Sequence, residues 1–388
     1  MIINRPLLTS ILDTDLYKLT MQEVVFHDFP FAMVEYEFIN RGKSSFPPNF
    51  ALELQHQINL MSELQLTADE KLFLHKIPYL RPTYIEWLNG YRYNPDEVQV
   101  TQDSENLKLV IRGPWYRTIL FEVPLMAIIS ELYFLITGQN KSDDWKQRIE
   151  NTGLNLSTNG CYWLDFGTRR RYSMEVQNSV VKQMKMMRGF LGTSNIHLAH
   201  KHNVIPHGTF AHEYVQGISG IYGIRMANTI AMEHWAKHFN GNLGVALTDT
   251  FSTNVFLSEF GKYEASLFDG VRQDSGDPIE WGNKMIAHYK KLNVLTSNKR
   301  FVFSDNLNDE KYIRIHNAFE SMCQPIGGIG TFLTNNVNVK PLNMVIKLKR
   351  IKKNQDSEWI DVVKLSDDMG KHTGNLRAIE SVKRELGI

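Results

Sequence analysis

The chain has 388 residues, 43% hydrophobic and 22% charged, enough to bury a large core and more than one average domain holds. Forty-three basic against 42 acidic side chains leave a formal charge of +1, so no overall field recruits nucleic acid or an anionic membrane, and any anion must be bound by a local cluster. The two cysteines, Cys161 and Cys323, exclude a disulfide scaffold at this size and, having no C-x-x-C spacing, point to a reducing, cytoplasmic setting.

At the start of the chain, MIINRPLLTSILDTDLYK is broken by Asp13 and Asp15 and has no small-residue cleavage site, so it does not read as a signal peptide. Residues 31–39 alternate apolar with acidic in a strand-like way, 52–64 and 68–73 have helical spacing, and 98–110, with its TQDSEN turn, has the form of a hairpin. This is the pattern of a mixed α+β domain over residues 1–125. The longest apolar stretch, 118–138, contains Glu122, Pro124 and Glu131, which predicts a packed helix rather than a membrane span.

From about Pro124 the rhythm changes. Short strand candidates stand at 162–166, 188–192, 204–209, 243–248, 267–272, 300–305 and 324–330. The intervals mostly fit one crossover helix each, as at 174–187 and 279–292, which is the signature of parallel βαβ units. A closed or nearly closed α/β barrel is therefore expected over 126–340. The tail, 341–388, returns to a hairpin pattern, MVIKLKRI and WIDVVKL around KKNQDSE, and is expected to pack on the N-terminal domain.

Each barrel strand candidate stops abruptly at polar residues, as strands do when their carboxyl ends deliver side chains into a cleft. The expected mouth includes 165–169, Thr193, Ser194, 209–213, Thr248, Asp249, 272–277, 304–306 and 327–331. The SDN and GGIGT loops suit a phosphate held by backbone N–H groups. Arg169, Arg170, Arg171 and Arg272 suggest a substrate with more than one anionic group. Asp274, Asp277 and Asp305 suit sugar hydroxyls or a developing positive charge.

Five histidines, at 197, 200, 202, 207 and 212, crowd the stretch 192–216. No H-E-x-x-H or Cys/His spacing accompanies them, so a resident metal is not expected. His197, His200 and His202 read as structural or solvated. The run at 169–171 would, by itself, be a solvated face, and the basic stretch 347–353 reads as a polar hairpin edge that resists aggregation. By default Tyr17 and Phe166 are core aromatics.

Several segments together resemble the nicotinate phosphoribosyltransferase family: TDLYKLTMQ (14–22), FINRGK (38–43), DFGTRRR (165–171), GTSNIHLA (192–199), GTFAHEY (208–214), VRQDSGDP (271–278), FSDNL (303–307) and GIGTFLTNN (328–336). They cover most of the chain in order. The resemblance implies the irregular α/β barrel of the type II phosphoribosyltransferases, with an α+β, sandwich-like domain formed by the N-terminal part and the C-terminal tail. It implies transfer of phosphoribosyl from phosphoribosyl pyrophosphate to nicotinate, with ATP hydrolysed as co-substrate and Mg2+ carried by phosphoribosyl pyrophosphate or ATP. Neither nucleic acid nor membrane is an implied partner, and a homodimer follows only from the family's use of a partner-chain tyrosine.

Carried over position by position, the resemblance makes His212 the phosphorylated histidine and Phe166 a stacking face for the pyridine ring, with Tyr17, from this chain or a second subunit, opposite. Arg272 and Thr209 would hold nicotinate, Asp274 the ribose hydroxyls and Arg169 the pyrophosphate. Asp305, Asn306, Gly328, Gly330 and Thr331 would hold the 5′-phosphate. No Walker-type sequence locates ATP. Two alternatives stay open at this point: a nicotinamide- or quinolinate-type enzyme, and a non-catalytic barrel that binds a phosphorylated metabolite. The GTRRR after the DFG position favours an acid substrate.

Overall fold

Two sheets divide the chain in the computed structural model, which describes residues 3–388. Strands β1 (Met33–Asn40), β2 (Val98–Asp103) and β3 (Asn106–Pro114) precede seven short strands: β4 (Trp163–Asp165), β5 (Phe190–Thr193), β6 (Ile205–Pro206), β7 (Val245–Leu247), β8 (Gly270–Gln273), β9 (Arg300–Phe303) and β10 (Gln324–Ile329). The tail supplies β11 (Met344–Lys352) and β12 (Ile360–Asp361).

The first sheet is antiparallel with order β12-β11-β1-β3-β2. Its alternation is that of a sheet with one face covered: Val34 and Tyr36 are buried in the core, while Glu35 accepts from Arg112 and Arg350 on the other face. β1 pairs with β11 from Met33↔Lys352 to Asn40↔Met344, so the tail is a structural strand of this sheet. The tail also reaches the other sheet. Leu365 N–H donates to the Thr250 carbonyl, and Lys371 pairs with Asp305 at 2.5 Å.

Among the described residues, one helical stretch, Trp115–Thr137, is long and apolar enough to cross a bilayer, yet 83% of its apolar window is buried inside the protein. Its carboxylates carry partners rather than facing lipid: Glu131 accepts from Met174 N–H at 2.9 Å, and Glu122 pairs with Lys18 at 2.6 Å.

The second sheet is parallel, with order β6-β5-β4-β10-β9-β8-β7, and crossover helices such as Met174–Met184, Pro278–Lys291 and Asp309–Phe319 join its strands. It curls into a half-barrel and does not close: β6 and β7 are its edges. The expected irregular α/β barrel with its second, antiparallel sheet is borne out; only full closure of the ladder is not, since it stays open between β6 and β7. β6 has two residues, one of them Pro206, and proline has no N–H for a further ladder. Across the seam runs a side-chain bond instead, Thr209 Oγ1 donating to the Val245 carbonyl at 2.9 Å. Close strand approach fixes two glycines. A Cβ on Gly270 would lie 1.9 Å from the Arg300 carbonyl oxygen, and one on Gly192, at φ +146°, 2.1 Å from that of Ile205.

Candidate active site

A cavity of about 1120 Å³ runs along the open side of the half-barrel, from the carboxyl ends of the strands toward their amino ends. The unclosed seam explains it, since a closed barrel of this size fills its interior with side chains. The amino-terminal segment caps one rim: Leu16 N–H donates to the Ser194 carbonyl at 2.8 Å, and Ser194 Oγ donates to Asp15 at 2.7 Å. Helix Leu16–Asp28 starts from this junction, so Tyr17 lines the cavity of its own chain.

His212 is the first residue of helix His212–Tyr222 and is buried. Its Nε2 lies 3.0 Å from Asp274 Oδ2 and 3.5 Å from Asp249 Oδ1, and its Nδ1 lies 3.2 Å from Thr250 Oγ1. Burial, helped by the charge of Lys364, pushes the imidazole down to about 4 against the opposing pull of the two carboxylates. The ring is therefore neutral near pH 7, with one nitrogen lone pair available.

Burial alone would raise the Asp274 carboxyl, but its hydrogen bond to His212 and the charges of Arg272 and Lys364 hold it well below the usual carboxylate range. Asp249 is likewise held low: Lys364 and His212 outweigh its desolvation, with Lys364 Nζ 3.4 Å away and Ser275 Oγ donating at 2.6 Å. Asp249 Oδ1, Asp274 and His212 put donor atoms within 4.8 Å of one another, the group among the described residues with metal-ligand geometry. This is a different set from the histidine-rich helix. There His200 faces Asp69 at 3.1 Å and His202 faces Asn178 at 3.0 Å.

Arg272, at the end of β8, reaches Ser304 Oγ at 3.2 Å, Asp274 Oδ1 at 3.5 Å and the Phe210 carbonyl at 3.4 Å. Thr209, Phe166, Arg169, His212, Arg272 and Asp274 line the cavity together with Tyr17. The three consecutive arginines part company. Arg169 is in the cavity wall, 3.5 Å from Glu122. Arg170 donates to the Met344 carbonyl at 3.0 Å, and burial plus the charges of Arg169 and Arg41 lower it to about 10. Arg171 is buried in a two-pronged pair with Asp13, both bonds 2.7 Å, which is a structural duty.

The loop residues expected at a phosphate are not in this cavity wall. Asn306 and Thr331 line a smaller neighbouring cavity of about 520 Å³, with Lys340 and Asn335. Asp305 is engaged by Lys371. Gly328 makes room for an aromatic ring: a Cβ there would lie 2.5 Å from Phe166, and one on Gly330 3.2 Å from the Phe166 carbonyl oxygen.

Sequence reasoning gave no role to a buried ion cluster whose carboxylates, Glu122 and Glu213, line the cavity and whose cation, Lys18, lies behind them. Lys18 is fully buried, 2.6 Å from Glu122 Oε2 and paired also with Glu213 Oε2. Glu213 Oε1 accepts from Trp115 Nε1 at 3.0 Å and from the Tyr36 hydroxyl. The signal was present only as a lysine beside Tyr17 and a glutamate after His212.

The model of the nicotinate phosphoribosyltransferase (NAPRTase) family matches residues 161–388, and that of the family's N-terminal domain matches 12–130. The chain is 47% identical over 374 residues to a nicotinate phosphoribosyltransferase of Desulforapulum autotrophicum, covering 95% of this chain and 96% of that one. It is 43% identical to the one of Chromohalobacter salexigens, covering 98% and 99%. The crystal structure of nicotinate phosphoribosyltransferase from Porphyromonas gingivalis superposes with a TM-score of 0.95 at 42% identity, over 98% of this chain and 100% of that one. That from Vibrio cholerae gives 0.92 at 31%, over 99% and 95%.

Proposed function

The chain belongs to the nicotinate phosphoribosyltransferase family, and on that premise we propose how its cavity joins nicotinate to the phosphoribosyl group of phosphoribosyl pyrophosphate in NAD salvage. The observation that carries the reading is the meeting of Phe166, Tyr17, Arg169, Arg272, Asp274 and His212 on one cavity wall. Phe166 and Tyr17 flank the pyridine ring, where stacking adds about 0.5–1.5 kcal/mol beyond area burial. Arg272 and Thr209 orient nicotinate, Arg272 facing its carboxylate. Asp274 takes the ribose hydroxyls and Arg169 the pyrophosphate. Asp305 and Asn306, with the backbone at Gly330 and Thr331, take the 5′-phosphate on the adjoining rim, while Gly328 keeps Phe166 in place.

The pyridine nitrogen lone pair forms the bond to the anomeric carbon as the bond to pyrophosphate breaks, so no general base is required. Positioning and electrostatics carry the step. Asp274, ionised beside that carbon, suits the cationic character the sugar acquires. The carboxylate of Asp274, which lines the cavity, is an oxygen donor of the kind that Mg2+ accepts and would fit an ion arriving with the pyrophosphate of the substrate, while Asp249 is buried beside it in its pair with Lys364.

ATP coupling is assigned to His212. Its unprotonated ring nitrogen accepts the γ-phosphoryl group, forming an N–P bond as the P–O bond to ADP breaks, and water later releases phosphate. A phosphorylated ring adds up to about two negative charges beside Asp249 and Asp274, which gives ATP leverage on how the pyrophosphate and its cation are held. The same reading places the enzyme in the cytoplasm; because Tyr17 lines the cavity of its own chain, the site does not require a second subunit, and sedimentation of the purified protein tests the homodimer that the resemblance implies.

Pyrophosphate release is the direct assay. Nicotinate with phosphoribosyl pyrophosphate should give it, and nicotinamide should be the poorer substrate; preference for the amide would overturn the acid assignment, and no release from either would leave a metabolite-binding barrel. His212→Ala should abolish the acid-labile phosphoryl label from ATP and the stimulation by ATP, leaving slow basal transfer. Undiminished labelling would mean that another residue is modified.

A further inference from the structure

We infer that Lys18 is a positioning residue for the phosphoribosyl transfer: by occupying one oxygen of Glu122 it keeps Arg169, on the other oxygen, free to face the cavity. The inference rests on the proposed role of Arg169. Lys18 touches no cavity space itself, with 0% of its side chain exposed. Its ammonium lies 2.6 Å from Glu122 Oε2, whereas Arg169 Nη1 stands 3.5 Å from Glu122 Oε1 with 38% of its side chain exposed.

These distances describe a competition. At Glu122 the short pair belongs to Lys18 and Arg169 stands about 1 Å farther off, so Arg169 keeps unspent donors for an anion. Without the ammonium, Glu122 has Arg169 as its nearest hydrogen-bonding cation, and the guanidinium fork is built to close on a carboxylate in two-pronged fashion. Arg169 would then turn from the cavity toward Glu122. Lys18 also pairs with Glu213, the residue after His212, and Glu213 is pinned by Trp115 and Tyr36. The same ammonium thus references Arg169, which follows β4, to the first turn of helix His212–Tyr222, which follows β6.

Lys18→Met alone strands two buried carboxylates and lowers fold stability whatever its role. The test is therefore Lys18→Met/Glu213→Gln, which removes one charge of each sign and keeps a hydrogen-bond acceptor for Trp115 and Tyr36. The measurements are the Kd for Mg2+-phosphoribosyl pyrophosphate by calorimetry, KM for each substrate and thermal melting. The expected result is a melting temperature near that of the unmodified protein, with kcat/KM for phosphoribosyl pyrophosphate down about 100-fold. The Kd should be weakened in step, and KM for nicotinate should change less than about twofold. Recovery of both the melting temperature and the Kd would overturn the inference and leave Lys18 as a counter-charge of the core. A failure of the reading beneath it would look different: the unmodified protein would release no pyrophosphate, or Arg169→Ala would bind phosphoribosyl pyrophosphate as tightly as the unmodified chain.

Discussion

The two ends of the parallel sheet offer a controlled contrast, because each places an arginine and an aspartate beside one cavity. At the carboxyl ends, Arg272 and Asp274 stand 3.5 Å apart with 17% and 28% of their side chains exposed, and further bonds to Ser304, Phe210 and His212 fix both. At the amino ends, Arg300 and Asp269 stand 4.0 Å apart with about half of each side chain in water. Residue type is the same and so is the cavity. What differs is dehydration and the number of groups that hold each charge in place, and these decide whether a charge can act on a substrate or is only screened by solvent.

The largest effect should follow from breaking the carboxyl-end pair. Arg272→Ala removes a charged donor from a dehydrated cluster, and we expect kcat/KM for nicotinate to fall by about 100-fold or more, equivalent to about 3 kcal/mol. Melting should shift by only a few degrees, since a cleft arginine is not a packing residue. A collapse of the melting temperature with unchanged KM would make this rim structural and erase the contrast.

A smaller effect sharpens the contrast through pH. His207 lines the cavity directly after β6, and burial pushes its imidazole down to about 4, against the hydrogen bond to the Leu191 carbonyl. Between about pH 4.5 and 6 the unfolded chain therefore binds a proton at this position that the native state does not, so stability falls as pH falls, by up to about 1.4 kcal/mol per pH unit. His212, lowered to about 4 by burial, contributes in the same sense. Denaturant titrations across this range should show a shallower slope for His207→Gln, by roughly that amount. An unchanged slope would mean that His207 is hydrated in the native state and that water reaches deep into the cavity.

How much of this was legible in the sequence depended on the range of the interaction. Strand ends were legible, because a short apolar run that stops at DFG, RQDSGD or SDN has a local signature, and the strands lie where those runs lie. The seam was not. That β6 stops after two residues and faces β7 across a single Thr209 bond depends on how the whole sheet curls. The Lys18 cluster was out of reach for the same reason, its pair with Glu213 joining residues 195 apart. The glycine-rich GGIGT stretch was read as backbone donors for a phosphate. In the structure Gly328 spends its missing Cβ on the ring of Phe166, a use that no spacing rule separates from the other. The tail was read as a hairpin for the first sheet, but Leu365 and Lys371 also bind the rim of the second, because polar contacts of single residues leave no periodic trace.

The smallest expected effect is also the sharpest control. Arg300→Ala deletes the cation of the amino-end pair while leaving β9 intact, since the backbone of Arg300, which pairs with Gly270 and Gln324, needs no particular side chain. An ion pair spread over 4.0 Å and half in water is screened, so stability should move by less than about 0.5 kcal/mol and kcat/KM by less than about twofold. If turnover instead falls severalfold with KM for nicotinate rising and that for phosphoribosyl pyrophosphate steady, the open seam conducts the pyridine acid and Arg300 steers it. Raising the salt concentration separates the two outcomes in the unmodified protein. A steering arginine would make KM for nicotinate climb with ionic strength in a manner that Arg300→Ala abolishes, whereas a solvated one leaves both proteins with the same salt response.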